Sequence, residues 1–345
     1  MCHRNINVIQ KDHKTTYPLV SVIGGVYNTP KSYVSLAIKS ILNQDYKNFE
    51  LIIIDDGSKI DYMDLIASMD DRRIIYKKNT NNMGLAYSLN RGIELSKGDL
   101  IARMDFDDIS YPNRLYEMVK FFNENENISI AGSFYREFDG RNRIIVLEQE
   151  DKYIRPSMLF KNPLAHPTVV FRKKIIDKYD IRYDVSKYPE DYYLWVKLSL
   201  NKNIIFSNNK AVLLLYRIHD NQITRKMKPN TLEIISEILD FFEIKINSEE
   251  RDAINNVYNN NILDKNQIDI FLAYLNSIIK ANNKYRFYEE EALKNVLAEF
   301  VIKKIIRNNL YLYFDINWYK DFLIYGVERI IKKELSKISY VLLNK

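Results

Sequence analysis

The chain has 345 residues, 46% hydrophobic and 28% charged, the balance of a folded soluble protein with a sizeable core and an appendage. One cysteine, Cys2, excludes an intrachain disulfide and favours a reducing compartment, and scarce glycine and proline argue against long flexible linkers. No apolar run of about 18 residues offers a bilayer span, the N-terminus has no apolar leader, and a net charge of +6 permits an anionic partner without selecting one.

Residues 1–17 are polar and aperiodic and read as a draped or disordered tail. Leu19–Ile23 is a short apolar strand with Gly24–Gly25 directly after it. Thr29–Pro30 offers a helix N-cap and a first-turn proline, and Val34, Ala37, Ile38, Ile41 and Leu42 then recur at helical spacing. Phe49–Ile54 is a continuous apolar strand of the kind buried on both faces, ended by Asp55–Asp56–Gly57–Ser58. A short helix at Asp64–Ser68 and a strand at Arg73–Tyr76 follow. Asn82–Gly84 turns the chain into a helix carrying Leu85, Leu89 and Ile93, closed by Gly98, and the next strand runs to Asp105. This alternation predicts an α/β fold with a mostly parallel central sheet flanked by helices. Ligand groups in such sheets gather at the C-terminal strand ends, where Tyr27, Asp56 and Asp105–Asp108 all lie.

Beyond them, Arg114–Phe122 is a helix, and Ile128–Phe138 with Arg143–Leu147 reads as a hairpin around Asp139–Gly140. Pro163–Pro167 is a proline-framed loop holding His166, followed by a strand at Thr168–Phe171. Pro189–Glu190–Asp191 precedes a helix at Tyr192–Leu200, and the strand Ala211–Tyr216 leads to Arg217–Ile218–His219. After about residue 225 strand signals vanish and long helical periods take over. Leu232, Ile235, Leu239 and Phe242 make one apolar face; Val327, Ile330, Ile331, Leu335, Ile338 and Leu342 make another, opposed by Arg329, Lys332, Lys333 and Lys337. We therefore divide the chain into a tail (1–17), a catalytic domain (18–225) and a helical C-terminal domain (226–345). The last helix suits either an anionic bilayer surface or packing on the protein itself.

The densest chemical signal is Ile101–Asp108, where an apolar run ends in three carboxylates within four residues. Side chains alternate along a strand, so Asp105 and Asp107 at a strand end would point the same way. Carboxylates that close repel and raise each other's pKa, and a hard divalent cation such as Mg²⁺ or Mn²⁺ relieves the repulsion. A polar loop of capping aspartates is the plainer alternative. Asp55–Asp56 and Glu190–Asp191, two further acidic pairs, favour the cation.

The order Tyr27–Asn28, Asp55–Asp56–Gly57–Ser58, Asn82–Met83–Gly84–Leu85–Ala86, Met104–Asp105–Phe106–Asp107–Asp108, then Glu190–Asp191 before a helix with Trp195, resembles the family 2 glycosyltransferases. These are inverting enzymes of GT-A fold, and the resemblance runs from about Leu19 to His219. It implies a donor site in which Asp56 accepts a hydrogen bond from the nucleobase of a UDP-sugar, with Tyr27 nearby. Gly84 opens a helix whose amides face the nucleotide, and Arg103, Asp105 and Asp108 adjoin the diphosphate. It implies a divalent metal, Mn²⁺ or Mg²⁺, on Asp107 with Asp105 and His219. It implies Asp191 as the base that takes the acceptor's proton. His166 matches a histidine common in the family, and a hydrogen-bonded structural role stays open beside a functional one.

The activity implied is transfer of one hexose or N-acetylhexosamine to a glycan or undecaprenyl-diphosphate-linked acceptor in capsule or other surface-polysaccharide synthesis. The expected setting is cytoplasmic, either free or peripheral on the inner membrane face, with no nucleic-acid partner. Gly24–Gly25–Val26 departs from the family's usual proline or small polar residue. The Gln-x-x-Arg-Trp motif of processive synthases is absent, so one sugar per encounter is expected. Two other readings remain: a non-catalytic nucleotide-sugar- or glycan-binding subunit, and an Asp-x-Asp phosphohydrolase, which the several strands before Asp105 disfavour.

Overall fold

The computed structural model describes residues 17–220, 230–261, 263–308 and 329–331. Residues 1–16 of the predicted N-terminal tail, the boundary near residue 225 and most of the predicted last amphipathic helix lie outside the described residues.

A nine-stranded mixed sheet organises the fold. Its first half is parallel: β1 (Val20–Val26), β2 (Phe49–Asp55), β3 (Ile74–Lys78) and β4 (Leu100–Arg103) lie in the order β3-β2-β1-β4. Every residue of β2 is buried. Its side chains divide by parity, as strand geometry requires. Ile52 and Ile54 feed one hydrophobic cluster with Leu89 and Ile93 of α3 (Leu85–Leu95). Leu51 and Ile53 feed another with Val34, Ile38 and Ile41 of α1 (Lys31–Leu42). A helix on each face is why the strand reads as an unbroken apolar run.

The sequence places the first strand's end before Gly24, but β1 continues through both glycines to Val26. Gly24 is needed because a Cβ there would lie 2.2 Å from the Met104 carbonyl oxygen. Thr29 is not the cap of α1; Pro30 is the N-cap residue itself, and the Thr29 carbonyl instead accepts the Tyr62 hydroxyl.

The second half of the sheet is mostly antiparallel. β8 (Val170–Arg172) pairs antiparallel with both β4 and β6 (Ile130–Phe138). β6 pairs parallel with β9 (Phe206–Arg217), and β5 (Ile109–Ser110) closes the edge against β9. The predicted hairpin forms, with β7 (Ile144–Ile145) pairing β6. α2 (Met63–Ser68), α4 (Arg114–Glu124), α5 (Asp151–Ser157), α6 (Lys173–Tyr179) and α7 (Glu190–Ser199) complete this part.

From residue 231 the described chain is helical. Leu232, Ile235, Leu239 and Phe242 are buried together as their spacing predicts, but in two short helices, Thr231–Ile234 and Ser236–Phe241, that meet at Ile235. Helices Ser248–Tyr258, Lys265–Tyr285 and Glu290–Asn308 follow. Capping boxes at Asn247/Glu250 and Asp264/Gln267 fix two of their starts. Ile254, Phe271 and Leu297 belong to the same cluster as Ile54 and Trp195, so these helices share the core of the sheet's α3 face. At Arg329, a guanidinium buried over the Tyr153 ring pairs with Glu148 (2.9 Å) and Glu299 (2.8 Å), tying that point of the chain to the α/β body.

Candidate active site

The parallel strands end at one rim. β1 lies between β2 and β4 with Val26 beside Asp55 and Ile23 beside Arg103. Neighbouring strands are about 4.8 Å apart, so the loops after β2 and β4 leave the sheet about 10 Å from each other.

After β2, the two adjacent aspartates separate in role. Asp55 is fully buried, accepting from the Tyr76 hydroxyl (2.7 Å) and the Ser58 amide (2.8 Å). Burial raises its pKa, but those bonds and Lys78 outweigh it and leave the pKa below the usual value. Asp56 holds the loop before α3. Its Oδ1 accepts from Asn79 Nδ2 (2.7 Å) and the Met83 amide (2.9 Å), and its Oδ2 from the Gly84 amide (2.8 Å). Gly84 sits at φ +91°, a backbone that side-chain-bearing residues avoid, and is the N-cap of α3. Any nucleobase contact with Asp56 therefore has to share an oxygen that already serves the chain. Tyr27, just beyond β1, is half exposed.

After β4, the acids come together by a turn rather than by strand alternation. The strand stops at Arg103, and the Asp108 amide donates to the Asp105 carbonyl (3.2 Å). Backbone pairing runs slightly further, from the Arg103 amide to the Val169 carbonyl (2.8 Å) and from the Met104 amide to the Ile23 carbonyl (2.9 Å), before the turn takes over. The turn recruits the third acid: Asp105, Asp107 and Asp108 each present an oxygen within 4.8 Å of the others. Burial first, then Asp107 and Asp105, hold the Asp108 pKa well above the usual carboxylate value. Its Oδ1 accepts the Arg217 amide (2.8 Å), while Oδ2 is buried without a hydrogen-bond partner. A buried oxygen of that kind costs about 1–3 kcal/mol. Burial also raises Asp105, against the pull of Arg103, which pairs with it. His219 Nε2 lies 3.0 Å from Asp107 Oδ2. Three hard oxygens, one of them orphaned, beside an imidazole fit Mg²⁺ or Mn²⁺.

Arg103 is 2% exposed and lies on the protein's side of this cluster. Its charge also reaches Glu190, Asp191, Tyr183 and His166. Asp191 in turn acts on Asp105, so the acids after β4 and those of α7 share one field. Glu190 and Asp191 occupy the first turn of α7, earlier than the sequence suggests, where the helix dipole favours anions. Asp191 Oδ2 accepts from Asn162 Nδ2 (2.7 Å) and Oδ1 from the Tyr192 amide (2.8 Å). Burial nonetheless raises its pKa, and burial together with Asp191 lifts Glu190 to about 7.

Three supporting residues escape the sequence reading. Arg217 binds the turn with its amide, donates from Nε to the Asp107 carbonyl (2.7 Å), pairs with Asp139 and lies 3.9 Å over the Tyr33 ring. Its place beside His219 is the only signal for it. Asn162 stands four residues before His166 and carries none. Arg114 opens α4 fully buried, donating to the carbonyls of Arg103 (2.6 Å) and Pro167 (2.8 Å). Burial lowers its pKa to about 10, and helix periodicity gives no hint of it.

Residues 21–181 match the family described as glycosyl transferase family 2. A glycosyltransferase of Methanocaldococcus jannaschii is 30% identical over 252 residues, 70% of this chain and 83% of that protein. The O-antigen biosynthesis glycosyltransferase WbnJ of Escherichia coli is 36% identical over 219 residues, 60% and 82% of the two chains. Among solved structures, Staphylococcus aureus TarS residues 1–349 superpose with a TM-score of 0.54 at 17% identity, covering 84% of this chain and 88% of that one. TarS has also been solved in complex with UDP-GlcNAc, with a TM-score of 0.51 to this chain at 18% identity, covering 82% and 80% of the two chains. By sequence and by its GT-A architecture, the chain belongs to glycosyltransferase family 2 and is a glycosyltransferase.

Proposed function

We propose that the protein is an inverting, metal-dependent transferase that moves a single hexose or N-acetylhexosamine from a UDP-sugar to a glycan acceptor. The observation that carries this reading is the convergence of Asp105, Asp107 and Asp108 at the sheet rim, in one electrostatic field with Asp191. Asp107 is the leading metal ligand, with Asp105 and His219 beside it. A divalent cation held there supplies positive charge to a diphosphate leaving group. Arg103 balances Asp105, and Asp108 with Arg217 keeps the turn in shape. On the nucleotide side, Asp56 takes the Met83 and Gly84 amides and so fixes the loop that leads into α3, whose first turn beyond them would face the nucleotide. Tyr27 offers an exposed ring to the base.

Asp191 takes the proton from the acceptor hydroxyl as that hydroxyl attacks the anomeric carbon from the face opposite the leaving group, which inverts configuration. Raised by burial, its carboxylate is a stronger base than an exposed aspartate. We assign residues 18–225 to catalysis and the helices from 226 onward to the acceptor side. A lipid-linked glycan acceptor for surface polysaccharide draws support from the likeness to an O-antigen enzyme. Attachment to an anionic membrane face through the apolar, lysine-flanked stretch at 327–342 belongs to the same proposal; among the described residues no helix is long and apolar enough to cross a bilayer.

The test is a donor screen across UDP-, GDP- and dTDP-sugars, reading nucleotide release with and without Mn²⁺ and glycan acceptors. Release from a UDP-sugar that needs the metal and rises with acceptor is the result expected. Metal-independent release, or release only from other nucleotides, contradicts it.

A further inference from the structure

The reaction just described gives no task to the histidine of the proline-framed loop. His166 is buried, at 7% exposure, in a short 3-10 turn, His166–Thr168. Its Nε2 lies 2.9 Å from the Tyr183 hydroxyl. Its Nδ1 faces two carboxylates, 3.6 Å from Glu190 Oε1 and 4.0 Å from Asp191 Oδ2. Trp195 of α7 meets the ring edge-on at 6.2 Å.

Burial first, then Arg103, hold the His166 pKa well below its ordinary value, so the ring is neutral and carries one N–H. Two tautomers compete. Once Glu190 is ionised, above about pH 7, a proton on Nε2 leaves a bare lone pair on Nδ1 aimed at two negative groups. A proton on Nδ1 turns an N–H toward them and frees Nε2 to accept from Tyr183. Burial raises the Tyr183 pKa, so the phenol keeps the proton it needs to donate. Tyr183 is itself clamped. Its amide donates to Asn90 Oδ1 (2.9 Å) and its carbonyl accepts from Asn90 Nδ2 (2.8 Å). Asn90 belongs to α3, the helix whose N-terminus Asp56 fixes at the nucleotide rim. A chain of contacts thus runs from α3 through Tyr183 and His166 to Glu190 and Asp191.

We propose that His166 is a positioning residue for the base: with Tyr183 setting its tautomer, its Nδ1–H is aimed at the Glu190–Asp191 pair and orients the Asp191 carboxylate toward the acceptor hydroxyl. The proposal rests on the reading of Asp191 as the base. Both gaps exceed a hydrogen bond, and contacts of this kind tighten in substrate complexes. The same three groups lie close enough to hold an ion. However, Asn162 already occupies Asp191 Oδ2, Tyr183 engages the ring, and Arg103 brings a positive charge. The ionisable groups around Asp191 are Arg103 on β4, Asp105 beyond it, Tyr183 and Tyr188 in the preceding loop, Glu190 beside it and His166 itself.

The chain has four histidines, so ¹⁵N-histidine labelling gives few signals, and His166→Asn assigns the one in question. The wild-type ring is expected to be neutral and protonated on Nδ1 at pH 8, where Glu190 is ionised, and Tyr183→Phe to shift it toward Nε2–H. A wild-type ring protonated on Nε2, or charged, overturns the proposal. Turnover is read as UDP release from UDP-GlcNAc with Mn²⁺, water standing in for the acceptor. His166→Asn keeps an amide N–H near the Nδ1 position; His166→Gln keeps one only near Nε2. His166→Asn is expected within about threefold of wild-type kcat and His166→Gln to fall by about 10- to 10²-fold, with donor KM unchanged in both. The acid limb of kcat should move to higher pH in His166→Gln, because a donor that favours the ionised base is gone. Equal losses, or the reverse order, overturn the proposal. Asp191→Asn runs in parallel: full activity there sinks the base assignment, while the tautomer still reports on His166.

Discussion

Two acidic clusters built from the same residue types differ in how the protein treats their oxygens. In the turn after β4, three aspartates crowd together and one buried oxygen of Asp108 has no hydrogen-bond partner. At the start of α7, each Asp191 oxygen has a donor, Asn162 or the Tyr192 amide, and a neutral histidine stands behind the pair. The first arrangement leaves one buried oxygen without a donor even though Arg103 pairs with Asp105, which suits an external cation. The second gives both Asp191 oxygens a donor and keeps that carboxylate oriented, which suits proton transfer. The same residue types are thus given different partners.

The comparison breaks most sharply at Asp107. Asp107→Asn is expected to lower UDP release from a UDP-sugar by about 10³-fold, and added Mn²⁺ should not restore it; recovery at high Mn²⁺ would show that the other two aspartates suffice. Asp191→Asn is expected to lower transfer by 10²- to 10⁴-fold, about what general-base catalysis supplies, read as initial rate at saturating donor and acceptor.

Gly24→Ala tests the packing beneath the first cluster. The new methyl would fall 2.2 Å from the Met104 carbonyl oxygen and 2.8 Å from the Phe106 ring. Thermal unfolding should show a loss of about 1–3 kcal/mol, and an unchanged midpoint would mean that β1 does not press on the turn.

Glu190→Gln sharpens the second cluster through stability. Glu190 has its pKa raised to about 7 by burial and Asp191. A carboxyl raised on folding binds more protons folded than unfolded, so its contribution is complete at acid pH and is lost as pH rises through 7. The variant should match wild type near pH 5 and melt higher at pH 8, by about 2–4 °C per kcal/mol relieved. Equal melting at both pH values would remove the proposed burial of charge.

Much of this was legible in the sequence wherever one local rule decided the outcome. Leu51–Ile54 is apolar at both parities because helices cover both faces, and the strand expected over Phe49–Ile54 forms as Phe49–Asp55. Asp105, Asp107 and Asp108 are adjacent in sequence, so a single turn unites them. Long-range partners were not legible. Arg217 reaches the Asp105–Asp108 turn from more than a hundred residues away, and its amide is as important as its side chain. The two roles of Asp55 and Asp56 depend on Tyr76 and on the Met83–Gly84 amides, which only the crossover to α3 brings near. The halves of the sheet differ in the same way: regular alternation announces β1–β4, and the strands at β7 and β8 are also expected, while the two-residue β5 and the pairing of β8 with both β4 and β6 depend on distant neighbours.

The division of labour between the clusters is tested most directly by calorimetric titration of UDP with Mn²⁺ into wild type, Asp107→Asn and Asp191→Asn. The account predicts that Asp191→Asn binds UDP within about twofold of wild type, a difference of about 0.4 kcal/mol, while Asp107→Asn loses the metal-dependent part of binding. Loss of UDP binding in Asp191→Asn, or full Mn²⁺-dependent binding in Asp107→Asn, would contradict it.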